Sequence, residues 1–152
     1  MLKYLLFALI ILIVGLFAFV RFNPLGDDLH VDPEIAKAPK VSGHVLVRSD
    51  GRIDSPLYEM PAEDLAAKLE AIILETPRTI HFAGDIEDDY ATYVTRSALW
   101  GFPDVANVKV VERGENRSEI VILSRLRYGA YDFGVNQTRV ENWLEDLSLE
   151  DG

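Results

Sequence analysis

Nothing constrains this chain more than the stretch from Tyr4 to Val20, which reads Tyr-Leu-Leu-Phe-Ala-Leu-Ile-Ile-Leu-Ile-Val-Gly-Leu-Phe-Ala-Phe-Val and holds no charge. At about 1.5 Å per residue a helix of this length covers roughly 26 Å, close to a bilayer's hydrocarbon core once flanking side chains snorkel. A cleaved secretory signal would have a shorter apolar stretch and small residues at its exit. Here the exit is Leu16-Phe17-Ala18-Phe19-Val20-Arg21, bulky where a peptidase requires small side chains. A buried core helix would show a polar stripe, and this run has none. The expectation is an uncleaved transmembrane anchor over residues 1–21, with membrane contact through Tyr4–Val20.

The flanking charges give an orientation. The terminal amine and Lys3 precede the run, and Arg21 follows it with Asp27 and Asp28 soon after. Basic residues are retained in the cytoplasm and acidic ones count for little, so the balance leans towards the N-terminus inside. In a bacterial host that makes a single-pass inner-membrane protein with its domain in the periplasm. The chain has no cysteine, so redox compartment is not constrained.

Charge narrows the partners. Fifteen basic residues against 25 acidic give a net charge of −10, and setting aside Lys3 and Arg21 takes the remainder to −12. Such a domain lacks the basic face that nucleic acid requires, and an anionic leaflet should repel it. Residues 22–40 contain Pro24, Pro33 and Pro39 among Asp27, Asp28, Asp32 and Glu34. Prolines stiffen the chain and acids keep it solvated, which predicts a stalk holding the domain off the membrane.

Residues 41–149 are one domain's worth of sequence. A short strand is expected over 43–48, ended by Ser49-Asp50-Gly51. Pro61 then opens a helix that Thr76-Pro77 closes, with Ala62, Leu65, Ala66, Leu69, Ile72 and Ile73 as its apolar stripe. Residues 79–84, 89–100, 105–113 and 118–126 are β-branched or aromatic runs separated by turn residues, and short connections predict consecutive antiparallel pairing. A last helix is expected from Asn136 as N-cap, with Val135 and Val140 as a hydrophobic staple and Val140, Trp143, Leu144 and Leu147 buried. These elements predict an α+β fold: the N-terminal transmembrane helix, then a two-layer domain with an antiparallel sheet of four or five strands and two helices on one face.

Three stretches share a pattern: Leu99-Trp100-Gly101-Phe102-Pro103-Asp104; then Ser124-Arg125; then Gly129-Ala130-Tyr131-Asp132-Phe133-Gly134-Val135-Asn136 with Arg139. In these the chain resembles the domain of unknown function 1499 family, from Pro61 to about Leu147. The resemblance implies a Gly-Phe-Pro-Asp-type turn, a strand ending in Ser-Arg and an ordered signature entering the last helix. It implies a membrane-anchored or exported setting and brings no activity. Members commonly carry a second acidic residue after the turn and Arg-Ser-Ala before Ser-Arg, whereas this chain has Val105 and Val121-Ile122-Leu123.

Ser124, Arg125, Asp132, Asn136 and Arg139 form the candidate polar or anion site, with Tyr128 between them. As a pocket, Arg125 and Arg139 would bind a carboxylate or phosphate, Asp132 would orient them, and helix-start N–H groups would complete the site. As architecture, Asp132 would pair with an arginine to pin the turn, the glycines would permit its backbone, and Asn136 would cap. Ser124 as nucleophile needs a base, and the histidines are His30, His44 and His81, none in a nucleophile motif. No metal-ligand spacing and no phosphate loop occurs, so no cofactor is expected. Two functions stay open. One is a non-enzymatic, envelope-associated module binding a protein or lipid-like molecule between helices and sheet. The other is a hydrolase or transferase acting on an anionic envelope substrate through Arg125, Arg139 and Asp132.

Overall fold

The computed structural model describes residues 1–150, Glu150 by its backbone alone. Helix α1 (Leu2–Phe22) comprises the apolar run, long and apolar enough by length and composition to cross a bilayer. A single 3-10 turn (Asp27–Leu29) follows, then β1 (His44–Val47), β2 (Leu57–Tyr58), α2 (Ala62–Glu75), β3 (Thr79–Gly84), β4 (Tyr90–Arg96), β5 (Pro103–Glu112), β6 (Ser118–Leu126) and α3 (Val135–Glu150). The expected α+β class is found. The sheet runs β1-β6-β5-β4-β3, antiparallel throughout, with two-residue β2 also paired to β6.

Strand alternation divides the side chains between two faces. Val45, Val47, Ala91, Tyr93, Ala106, Val108, Ile120 and Ile122 point to one side, and α2 and α3 bury Leu65, Leu69, Ile73, Val140, Trp143 and Leu147 against them. Both helices therefore lie on one face, each through its apolar stripe. These side chains fill the centre of the helix–sheet interface.

The predicted strand over 89–100 ends at Arg96 because the chain folds back there. The Gly101 N–H donates to the Ser97 carbonyl at 3.1 Å and the Ser97 N–H to the Phe102 carbonyl at 2.9 Å. Gly101 has φ of 68°, a conformation that glycine takes without steric cost.

Residues 23–43 correct the expected stalk. They are not a solvated spacer but a strap laid across the second face of the sheet. Leu25 and Leu29 pack on Val94 and Val105. The Leu29 carbonyl accepts from Asn107 Nδ2 at 2.9 Å and from Arg125 Nη2 at 3.1 Å. His30 Nδ1 bonds Thr92 Oγ1 at 2.7 Å, and its ring stacks on Tyr90. Further along, Arg48 Nη1 donates to the carbonyls of Pro33, Glu34 and Ala36 at 2.9, 2.7 and 3.1 Å. Lys109 reaches Asp89 at 2.8 Å and Asp32 and Glu34 at 3.2 Å. Two of the four acids that read as solvating groups, Asp32 and Glu34, instead pair with a lysine on the sheet, while Asp27 and Asp28 stay exposed.

Nor does the domain stand clear of α1. Val20 is buried, the Phe17 ring meets Trp100 edge-on at 6.0 Å, and Asn23 Nδ2 donates to Tyr128 Oη at 2.6 Å.

Candidate functional site

Ser124 and Arg125 are consecutive on β6, so the pleat sends them to opposite faces. The five predicted site residues accordingly divide. Ser124, Asp132, Asn136 and Arg139 meet on the helix side, and Arg125 lies behind the sheet under the strap.

The four that meet are joined by hydrogen bonds. Ser124 Oγ donates to Asn136 Oδ1 at 2.6 Å, and Asn136 Nδ2 donates to Asp132 Oδ2 at 2.8 Å. Arg139 Nη1 donates to Asn136 Oδ1 at 3.0 Å, and its Nη2 to Asp104 Oδ2 at 2.9 Å. Both lone pairs of the Asn136 amide oxygen are thus taken, and its nitrogen donates to Asp132. Asn136 and Ser124 are completely buried.

Two roles assigned from sequence are corrected. Asn136 does not cap α3. Asp132 does, its Oδ1 accepting from the Gly134 N–H at 3.0 Å and its Oδ2 from the Asn136 N–H at 2.8 Å. With its oxygens turned to those donors Asp132 pairs with no arginine, and Arg139 takes Asp104 instead. Val135, half of the expected staple, is half exposed because the helix starts at it rather than after it. Phe133 is held at φ of 58°, a conformation that costs a bulky residue about 1–2 kcal/mol and that the doubly bound Asp132 offsets.

The electrostatics follow the burial. Burial pushes the Asp104 carboxyl above its usual range, and Arg139 opposes that without cancelling it. Burial also acts to raise Asp132, but the N–H groups of Asn136 and Gly134 and the Asn136 amide outweigh it and hold the carboxyl low.

Asp104 was missing from the sequence-derived set. Its signal was the face it occupies: Asp104, Ala106, Val108 and Val110 share one side of β5, and an acid among those residues must have a partner.

Arg125 has separate company. Its Nη1 donates to Asn107 Oδ1 and its Nη2 to the Leu29 carbonyl, and burial lowers its pKa against the pull of Asp28. Beside it, Val31, Ile35, Ala36 and Leu123 line a groove of about 510 Å³ between strap and sheet. A second hollow of about 310 Å³ runs between the C-terminal end of α2 and α3, with Arg139, Trp143 and Thr76 in its wall.

Among the described residues no histidine is hydrogen-bonded to Ser124. His44 pairs in register with Arg125 and shares that residue's face, and His81 lies on β3 with its ring edge-on to Tyr93 at 5.5 Å. Among the described residues no group of three histidine or acidic side chains could hold a metal ion.

Compared with protein families, residues 29–147 match the model of a protein of unknown function, DUF1499. The chain belongs to the DUF1499 family. The match begins at Leu29, inside the strap, so the part of the chain resembling the family includes residues 29–43 of this second covering layer as well as α2 and most of α3. A comparison with curated proteins finds no match. The geometry accounts for the spacing of the DUF1499 signature in this chain: Asp132 starts the helix, Asn136 one turn on links it to β6, and Arg139 links it to β5.

Proposed function

We propose that this DUF1499 protein is a membrane-anchored, non-enzymatic binding module of the cell envelope, held by α1 with its domain in the periplasm of a bacterial host. The observation that supports this most is the closed hydrogen-bond network. Ser124, Asp132, Asn136 and Arg139 are spent on one another and on Asp104, which leaves the signature fastening α3 to the sheet. The hydrolase or transferase alternative needs those groups free and a base beside Ser124.

The binding site in this reading is the groove between strap and sheet. Its walls combine apolar Val31, Ile35 and Leu123 with Lys37, Arg125 and an Asp32 already paired to Lys109, a combination suited to an amphipathic molecule with an acidic group. Native mass spectrometry of the full chain extracted from its membrane tests this. A retained mass that is lost in Ala36→Trp, which fills the groove, is the expected result. Repeatedly empty spectra, or retention unaffected by Ala36→Trp, would overturn it. Orientation is tested by Ser42→Cys in this cysteine-free chain. A maleimide reagent unable to cross the inner membrane should label that cysteine in intact cells.

A further inference from the structure

The acidity of the chain is not uniform, and the exception lies where α1 meets the domain. Arg21, Arg96 and Arg127 converge there around the turn at 97–102, in a protein of net charge −10. The Arg21 side chain lies over Gly101, with Cδ and Nη1 each 2.8 Å from where a Cβ would stand. Arg96 Nη1 donates to the Gly101 carbonyl at 3.0 Å. Arg127 is fixed by its Nη2 bond to the Pro24 carbonyl at 2.8 Å and by its N–H bond to the Pro103 carbonyl.

Among the described residues none of the three has a carboxylate at ion-pair distance. Arg127 Nη1 is buried without a hydrogen-bond partner. Burial disfavours the charge on Arg96, and the fields of Arg21 and Arg127 disfavour it further. Three guanidinium groups held together with no anion are an incomplete arrangement, and planar forks of this kind match phosphate oxygens bidentately.

The same turn carries the domain's apolar outcrop beside the helix. Leu99 is 75% exposed and Trp100 48%. Trp100 and Phe102 form one apolar hollow with Ile13, Phe17 and Val20 of α1. The turn thus sits level with the last turns of the apolar helix, where aromatic side chains are enriched at membrane surfaces. A soluble anion would account for the arginines but not for the exposed leucine and tryptophan adjoining them.

We propose that this junction binds the phosphate of an anionic phospholipid, with Arg21, Arg96 and Arg127 on the headgroup and Leu99, Trp100 and Phe102 in the acyl boundary beside α1. The proposal rests on α1 being a membrane anchor. The net negative charge predicts repulsion from an anionic leaflet, and the local cluster reverses that sign at the one place where the chain must approach it.

The full chain in detergent micelles doped with equal phosphatidylglycerol and phosphatidylcholine supplies the test. Native mass spectrometry should show phosphatidylglycerol retained in preference. Arg96→Gln and Arg127→Gln should each weaken retention about fivefold while the chain still unfolds cooperatively. Equal retention of the two lipids, or undiminished preference in the folded double variant, would overturn the site. Displacement of phosphatidylglycerol by millimolar inorganic phosphate would assign the arginines to a soluble anion and overturn the lipid assignment. In vesicles, brominated phosphatidylcholine should quench wild-type fluorescence and spare Trp100→Phe, and an unquenched wild type would also count against insertion of the turn. Carbonate extraction separates the two layers of inference. Release of the intact chain from membranes defeats the anchor itself, and retention without lipid preference defeats the headgroup site alone.

Discussion

The two faces of the sheet are covered by different physics. On one, α2 and α3 bury periodic apolar stripes, and their positions are set by packing. On the other, a strap that is irregular apart from one 3-10 turn is held mainly by its own backbone carbonyls, which Asn107, Arg125 and Arg48 reach out to grasp. Helices satisfy their backbone internally and can be held by side chains alone. An irregular segment cannot, so the sheet beneath it must present buried donors. That is why Asn107 and Thr92, fully buried polar residues, sit in central strands.

The contrast can be tested by cutting into each face, and the helix side should respond most. Trp143→Ala removes a side chain buried against the sheet together with its bond to Thr76 Oγ1. It should cost about 3–5 kcal/mol in urea unfolding. Arg139→Met leaves Asp104 buried without its cation and should cost about 3 kcal/mol, with most of the loss recovered in the Asp104→Leu, Arg139→Met double variant. On the strap side, Asn107→Leu leaves Thr92 and Arg125 short of partners and should cost about 2 kcal/mol. Its distinguishing sign is local: protease cleavage within 23–43 should accelerate more than global unfolding does. Equal acceleration at the α3 connection would mean that the two faces come apart together and that the contrast is false.

Asp132→Ala removes the helix cap and a partner of the buried Asn136 amide, and should cost about 2 kcal/mol. Its pH dependence has a definite sign. Asp132 is held below its unfolded value, so its contribution is complete above that value and is lost as pH falls through the folded one. Asp104 is raised, so its ionisation opposes folding and its contribution is lost as pH rises through its folded pKa. Removing Asp132 should therefore flatten the loss of stability on acidification. Asp104→Asn should not. Melting temperatures followed from neutral to strongly acid pH would tell them apart.

The helix face was legible in the sequence and the strap face was not, for a physical reason. The stripes of α2 and α3 and the alternation of β6 repeat, and repetition survives without knowledge of tertiary contacts. Leu25 and Leu29 are single apolar residues among prolines and acids, and the carbonyls that anchor the strap have no sequence signature at all. The candidate site shows the same limit at finer scale. Its members were found by their spacing, but their partners were misassigned because Asp104 lies thirty-five positions from Arg139. Arg125 could have been separated from Ser124 in advance, since neighbours on a strand cannot share a face.

The strap also lies in series between α1 and the first strand, which gives the attachment a mechanical character. A force drawing the domain away from α1 would act on residues 23–43 first and detach their bonds one after another, while the sheet behind them is loaded together. Pulling on the N-terminus in a single-molecule experiment should give an early low-force step releasing about 7 nm of chain, at the usual extended length per residue. A first event that releases the whole domain would refute it. Tension applied through α1 would thus expose Asn107 and Arg125 to solvent before the fold itself gave way.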